Sequence, residues 1–306
     1  MVVTKETEPY ELQYIKILRN ILSDGSRELN ERTGVETLRI PHSVITVDLL
    51  TEFPILKSKQ VLWKTAAKEI LWIMQKQSNN INDLDAHIWD AWADENGSIG
   101  KAYGYQVAKR VVADGVEYPS QVHYVLDRLR SNPSDRRAKI DLWNVDDLGE
   151  MRLVPCCYSS LWTITKGRLN CMLVQRSADF LVGVPFNTTQ YAILTYLFAK
   201  HLGVEVGQLT HVMSDCHVYC YASHLEGADK MIHNFELFDD IYNLNESMLN
   251  RLKETSAEIR RYAEIAEAMP YLNFTSDSND FFSVNIEDIH LEDYHYMEKL
   301  YFDVAK

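Results

Sequence analysis

Apolar residues first recur at helical spacing in Tyr14, Ile17, Leu18, Ile21 and Leu22, a stripe that Asp24-Gly25 ends. A polar loop, Asn30-Glu31-Arg32-Thr33-Gly34, leads into a strand predicted from Leu38 to Asp48. Beyond Pro54, the residues Trp63, Ala66, Ala67, Ile70, Leu71 and Met74 share one face of a helix predicted over Gln60 to Gln77. Glu69 lies near that face, and a carboxylate there is either paired or functional. Another helix is predicted over Gln121 to Arg130, stopped by Asn132-Pro133. Strand patterns then cluster at Ala138 to Trp143, Ser160 to Thr165 and Leu169 to Gln175, with Lys166-Gly167 turning between the last two.

Pro185 precedes a helix predicted from Thr188 to Leu202. The pattern further predicts a strand over Thr210 to Ser214, a helix over Cys216 to Leu225 and a charged helical stretch over Leu244 to Ala268. A polar loop follows from Pro270 to Asp280, then a strand-rich tail from Asn285 to Ala305. No repeat or linker divides the 306 residues, so one α+β domain over 1–306 is expected.

The composition narrows the partners. The net charge of −13 argues against a general nucleic-acid or anionic-membrane surface, so an anionic ligand needs a local arginine cluster. No apolar run is long enough to span a bilayer, and Met1 to Tyr10 lacks the pattern of a signal peptide. Cys156, Cys157, Cys171, Cys216 and Cys220 make an odd count without framework spacing, which fits reduced thiols in a cytoplasm.

The chemistry concentrates between Arg136 and Asn187. A cysteine attacks as its thiolate, which a nearby cation favours, and arginine also grips a phosphate by paired hydrogen bonds. Arg136-Arg137, Cys156 and Arg176-Ser177 therefore point to an activated cysteine beside an anionic small molecule; a buried structural thiol with solvated arginines is the plainer alternative. Cys216, Cys220 and His224 fall at i, i+4 and i+8 of the predicted helix, but no second ligand cluster accompanies them, so no metal site is expected.

Several motifs in register resemble the thymidylate synthase family. They are Glu31-Arg32-Thr33-Gly34, Lys68-Glu69-Ile70-Leu71-Trp72, His87 through Gly97, Ser134-Asp135-Arg136-Arg137, Leu142-Trp143-Asn144 and Leu153-Val154-Pro155-Cys156. Gln175-Arg176-Ser177-Ala178-Asp179, Gly183 through Asn187 and Asp215-Cys216-His217-Val218-Tyr219 continue the series. The resemblance spans nearly the whole chain except the stretch from 244 to 268, and within the family it is closest to the Bacillus and phage subgroup.

The resemblance implies a large twisted mixed sheet flanked by helices, in a homodimer packed sheet to sheet. It implies reductive methylation of dUMP to dTMP with 5,10-methylenetetrahydrofolate as co-substrate. Cys156 is then the nucleophile toward C6 of the uracil, Arg176 its cation, Glu69 the proton-transfer carboxylate and Tyr103 the phenol near C5. Arg32, Arg176 and Ser177 bind the phosphate, with Arg136 and Arg137 reaching it from the other subunit. Asn187 reads uracil N3–H and O4, and His217 and Tyr219 hold the ribose. Asp179 touches the folate ring, and Trp89, Trp92, Val182, Phe186 and Ala305 belong to the folate side, the aromatic ones equally suited to plain core.

Three positions depart from the family's common pattern: Cys157 where histidine is frequent, Val107 where tryptophan is usual, and a chain end at Val304-Ala305-Lys306. The charged end opens the alternative of a dUMP hydroxymethylase, in which water rather than hydride completes the reaction.

Overall fold

The computed structural model describes residues 7–244 and 246–303. Helix α1 (Tyr10–Asp24) buries Tyr14, Leu18 and Ile21 of the expected apolar stripe and Ile15 beside them, whereas Ile17 and Leu22 are half-buried. Strands β1 (Ser26–Asn30) and β2 (Val35–Asp48) form a hairpin whose turn holds Arg32. Helix α2 (Trp63–Met74) follows, then the short helix α3 (Gly104–Val107) and the small hairpin of β3 (Val111–Ala113) and β4 (Val116–Tyr118). Helix α4 (Gln121–Ser131) is capped by the Ser120 side chain and leads to β5 (Lys139–Asp141). Strands β6 (Cys157–Thr165) and β7 (Arg168–Gln175) pair antiparallel across the Lys166-Gly167 turn, and β8 (Ala178–Asp179) is a two-residue continuation.

Helix α5 (Gly183–Leu202) crosses to the long strand β9 (Glu205–Tyr219). The order β1-β2-β9-β7-β6-β5, with β8 beside β9, gives a seven-stranded sheet. It is mixed because β7 and β8 run parallel to β9, and a parallel pair needs a crossover such as α5. Most of α5 is buried, as an apolar helix clamped between sheet and α2 must be. Alternation along the strands sends Ile45 and Leu173 into the core, whereas their neighbours Val44 and Met172 are exposed.

The remaining elements are α6 (Ala222–Tyr242), α7 (Glu246–Thr255), α8 (Ala257–Glu267), β10 (Tyr271–Phe274) and β11 (Ile289–Glu292). Three expectations are corrected here. Cys216 to Tyr219 belong to β9 rather than to a helix: Thr37 to Ile40 of β2 pair with Cys216 to Tyr219, and interstrand bonds override the local helical spacing. That places Cys216 on a strand and His224 on α6, so the i, i+4, i+8 stripe does not exist. The stretch from 244 to 268 is two helices, because the Ser256 hydroxyl accepts from Glu258 N–H and Ile259 N–H and starts α8 afresh. Among the described residues the tail carries one strand, Ile289–Glu292, paired with β10 inside the expected polar loop.

Candidate active site

A cavity of about 700 Å³ opens where α2, α5 and the segment ahead of β6 meet. Cys156, Glu69, Tyr103, Trp89, Trp92 and Asn187 line it, and so do Val182 and Phe186. Glu69 comes from α2, the two tryptophans from the loop that follows it, Tyr103 from the start of α3, Cys156 from just ahead of β6, and Phe186 and Asn187 from α5, so the fold joins positions more than a hundred residues apart.

Cys156 stands one residue ahead of β6, with its carbonyl accepting from Arg176 N–H at 3.0 Å. Its own N–H donates to the Tyr103 hydroxyl at 3.1 Å. The Arg176 guanidinium donates to Pro155 O at 3.1 Å and to Val154 O at 2.8 Å, so the arginine and the cysteine loop hold each other in place. Burial pushes the Cys156 thiol up, whereas the charges of Arg176 and then Arg32 pull it down. The cationic help expected from the sequence is present, but desolvation exceeds it.

Tyr103 holds φ at +44°, which is strained for a residue with a side chain, at the start of α3. The next residue has to be glycine: a Cβ on Gly104 would stand 1.9 Å from Ser78 O. This tight approach fixes the phenol under the cysteine loop. Burial drives the Tyr103 hydroxyl well above the ordinary phenol range, so it stays a donor.

Glu69 is buried on α2, and its carboxylate accepts from Trp89 Nε1 and from Gln190 Nε2. Burial raises its pKa to about 7, against the lowering effect of those two bonds. Gln190 in turn accepts from Asn187 Nδ2 at 2.9 Å through Oε1. A glutamine has one acceptor end and one donor end, so binding Glu69 with the donor leaves only the acceptor for Asn187. The Asn187 amide is thereby held with Nδ2 toward Gln190 and cannot present its oxygen there.

At the rim, Asp179 Oδ1 accepts from Leu181 N–H at 3.0 Å and Val182 N–H at 3.2 Å, fixing the entry to α5. His217 is paired in the sheet with Asp179, and its ring meets Tyr219 edge-on at 5.1 Å. Tyr219 feels the charges of Asp179 and Arg32, which places the β1–β2 turn on the same rim. Ser177 lies in the turn between β7 and β8. Two residues are not gathered in. Arg137 points to Asp135 at 3.4 Å and Asp114 at 3.6 Å, and the exposed Arg136 makes no ion pair among the described residues. Ala305 and Lys306 lie outside the described residues.

Sequence reasoning passed over Gln190 and Lys59. Gln190 sits one helical turn after Asn187, a spacing that could have flagged it once the helix was started at Gly183 instead of Thr188. Lys59 is buried 5.2 Å over the Phe302 ring, and burial lowers its pKa to about 8 while Asp179 opposes. Nothing in the local pattern marks it.

Known proteins resemble this chain along its length. The family model described as thymidylate synthase matches residues 12–306. The thymidylate synthase of Clostridium beijerinckii is 37% identical, with 97% of this chain and 98% of that protein covered. Thymidylate synthase 1 of Bacillus subtilis is 35% identical over 97% of this chain and 99% of its own length. The solved structure of thermostable thymidylate synthase A from Bacillus subtilis superposes with a TM-score of 0.79 at 33% identity, covering 98% of this chain and all of that one. A cysteine and a buried carboxylate lining one cavity, with an arginine bonded to the cysteine loop, accompany a likeness to these relatives along nearly the whole length, and the protein belongs to the thymidylate synthase family.

Proposed function

We propose that the protein converts dUMP to dTMP with 5,10-methylenetetrahydrofolate, using the residues gathered around the cavity. The observation that carries this reading is the convergence of Cys156, Glu69 and Asn187 on one cavity, with Arg176 bonded to the cysteine loop. Cys156 Sγ adds to C6 of the uracil, which turns C5 into an enol-like carbon nucleophile. Asn187 receives N3–H at Oδ1 and gives its second Nδ2 proton to O4, the arrangement Gln190 enforces. A cytosine ring offers the opposite pattern and is turned away. Arg176, Ser177 and Arg32 hold the phosphate, and His217 and Tyr219 the ribose.

The folate co-substrate supplies the one-carbon unit and the hydride. The apolar aromatic wall of Trp89, Trp92 and Phe186, closed by Val182 and edged by Asp179, suits a flat conjugated ring with polar edges. Glu69, poised to gain or lose a proton near neutrality, moves protons at the reacting nitrogen and at O4 through water. The Tyr103 hydroxyl assists removal of the C5 proton.

The working unit in this reading is a homodimer of one-domain subunits, with the exposed sheet residues Val44 and Met172 in the interface and the unpaired Arg136 given to the neighbour's phosphate together with Arg137. The cellular setting is the cytoplasm, in keeping with five cysteines that are all free and with no helix among the described residues long and apolar enough to cross a membrane. The test is the product mixture from dUMP and methylenetetrahydrofolate, with dihydrofolate followed by absorbance. Equal rise of dTMP and dihydrofolate supports the synthase; 5-hydroxymethyl-dUMP without dihydrofolate replaces it with the hydroxymethylase.

A further inference from the structure

His211 is fully buried where β7, β9 and α5 meet, outside the cavity. Its Nε2 lies 2.8 Å from Gln175 Oε1 and its Nδ1 lies 3.0 Å from Thr188 Oγ1. Gln175, also buried, is the last residue of β7, and its Nε2 donates to Ser177 O at 2.8 Å. The Cys157 thiol donates to the same Gln175 oxygen at 3.4 Å.

The hydrogens follow from which groups can only accept. The Ser177 carbonyl accepts, so the Gln175 end facing it is the NH₂ and the end facing His211 is the oxygen. His211 Nε2 must therefore carry a proton. Thr188 has one hydroxyl proton and two acceptors in reach, Val184 O at 2.8 Å and His211 Nδ1. Val184 O can accept this proton beside its ladder bond in α5, but it is satisfied without it, whereas a bare Nδ1 facing the hydroxyl oxygen is not; with Nε2 protonated in a neutral ring, the Thr188 proton therefore turns to Nδ1. Burial, which lowers the proton affinity of the ring to about 3, agrees with a neutral Nε2–H imidazole.

We propose that His211 is a positioning residue for phosphate binding: its Nε2–H fixes the Gln175 amide, which holds the Ser177 carbonyl and so aims Arg176 and Ser177 at the nucleotide phosphate. A flipped Gln175 would set oxygen against the Ser177 carbonyl and NH₂ against His211 N–H, two repulsive contacts in a dry interior. This inference rests on the reading of Arg176 and Ser177 as phosphate ligands.

The test uses the full chain, its H211M variant, which keeps the bulk and loses the donor, and H211Q, whose amide can present an N–H near the former Nε2. Expected in H211M is a roughly tenfold weaker dUMP affinity, with the inhibition constant of inorganic phosphate competing against dUMP rising by a similar factor and the KM for the folate unchanged. H211Q restores most of both affinities. Nitrogen NMR of the unmodified protein shows Nε2 protonated and Nδ1 bare from about pH 5 to about pH 8.

An H211M protein that keeps full dUMP affinity, or loses it with the phosphate inhibition constant unmoved, overturns the proposal. So does an Nδ1–H tautomer, or a ring that titrates in that range. Should H211M fail to fold, H211Q and the tautomer decide. If inorganic phosphate does not compete with dUMP on the unmodified protein, the phosphate-ligand reading itself fails and takes the inference with it.

Discussion

The main-chain N–H of Cys156 is held by the hydroxyl of Tyr103, a residue 53 positions earlier whose own backbone sits at φ +44°. The cysteine and the phenol are thus parts of one hydrogen-bonded unit, and changing the phenol must be felt at the cysteine. Replacing Tyr103 by Phe leaves a buried N–H without its acceptor at a cost of about 1–3 kcal/mol. Y103F is expected to melt earlier and to lose about a hundredfold in kcat. Thermal unfolding and steady-state kinetics check both effects, and an unchanged kcat would remove Tyr103 from the chemistry.

Because burial pushes the Cys156 thiol up, its alkylation by iodoacetamide should accelerate with pH and reach half-maximum above the ordinary thiol pKa of about 8.5. Arg176 is the first of the opposing influences. R176A is expected to move that midpoint higher still, and a midpoint that stays put would deny the arginine its role as the thiolate's cation.

For Glu69 the sign is opposite to that of a salt-bridged carboxylate. Its pKa is raised to about 7 in the fold, so the folded state retains a proton that the unfolded chain has released. Stability is therefore present below the ordinary glutamate range and lost as pH rises through about 7. E69Q lacks this loss, so the unfolding free energy of the variant should gain on that of the unmodified protein between about pH 4.5 and about pH 7, by up to about 3 kcal/mol, and its melting temperature should rise with it. Turnover should collapse in the same variant. Parallel melting curves across that range would show that the carboxyl is not raised.

If Asn187 reads the base, the chain from Glu69 through Gln190 to Asn187 makes base choice depend on a residue that touches no base. Q190L frees the Asn187 amide to turn over. The preference for dUMP over dCMP, measured as binding or kcat/KM, is expected to fall about tenfold, and N187D should favour dCMP outright. Unaltered discrimination in Q190L would mean that Asn187 is oriented by something else.

If Arg136 and Arg137 serve the neighbouring subunit, then a doubly substituted R136A/R137A protein and C156A are each inactive alone but complementary. Mixed and allowed to exchange subunits, they should recover about a quarter of the normal active sites, since one site of each heterodimer has every part. No recovery, with exchange verified by differently tagged subunits, would end the shared-site arrangement.

How much of this was legible beforehand differs by residue. Cys156, Arg176 and Asn187 sit in contiguous motifs that can be read locally; Cys156 and Asn187 line one cavity, and Arg176 is bonded to the cysteine loop. Gln190 was hidden because its meaning lies in Glu69, which is 121 residues away. Cys216 and His217 fall in a stretch whose local pattern reads as a helix; only pairing with β2, invisible in a local window, makes them a strand. The break at Ser256 was readable as a capping residue followed by Glu258, yet the surrounding charge periodicity concealed it. Arg136 and Arg137 are easy to notice, but within one chain Arg137 pairs with Asp135 and Asp114 and the exposed Arg136 has no ion pair among the described residues, so neither joins the cavity.

The crossover of α5 between β7 and β9 also orders events in time. Cys156 and Arg176 lie at the open end of the β6–β7 hairpin, whose two-residue turn closes in about 1–10 µs once its strands collapse. His217 and Tyr219 join only after the chain has traversed α5 and β9 has docked parallel to β7, a closure that is intrinsically slow. During refolding the Cys156 thiol therefore meets Arg176 before His217 and Tyr219 are in place, and for that interval it is open to oxidants without the cover of the finished fold.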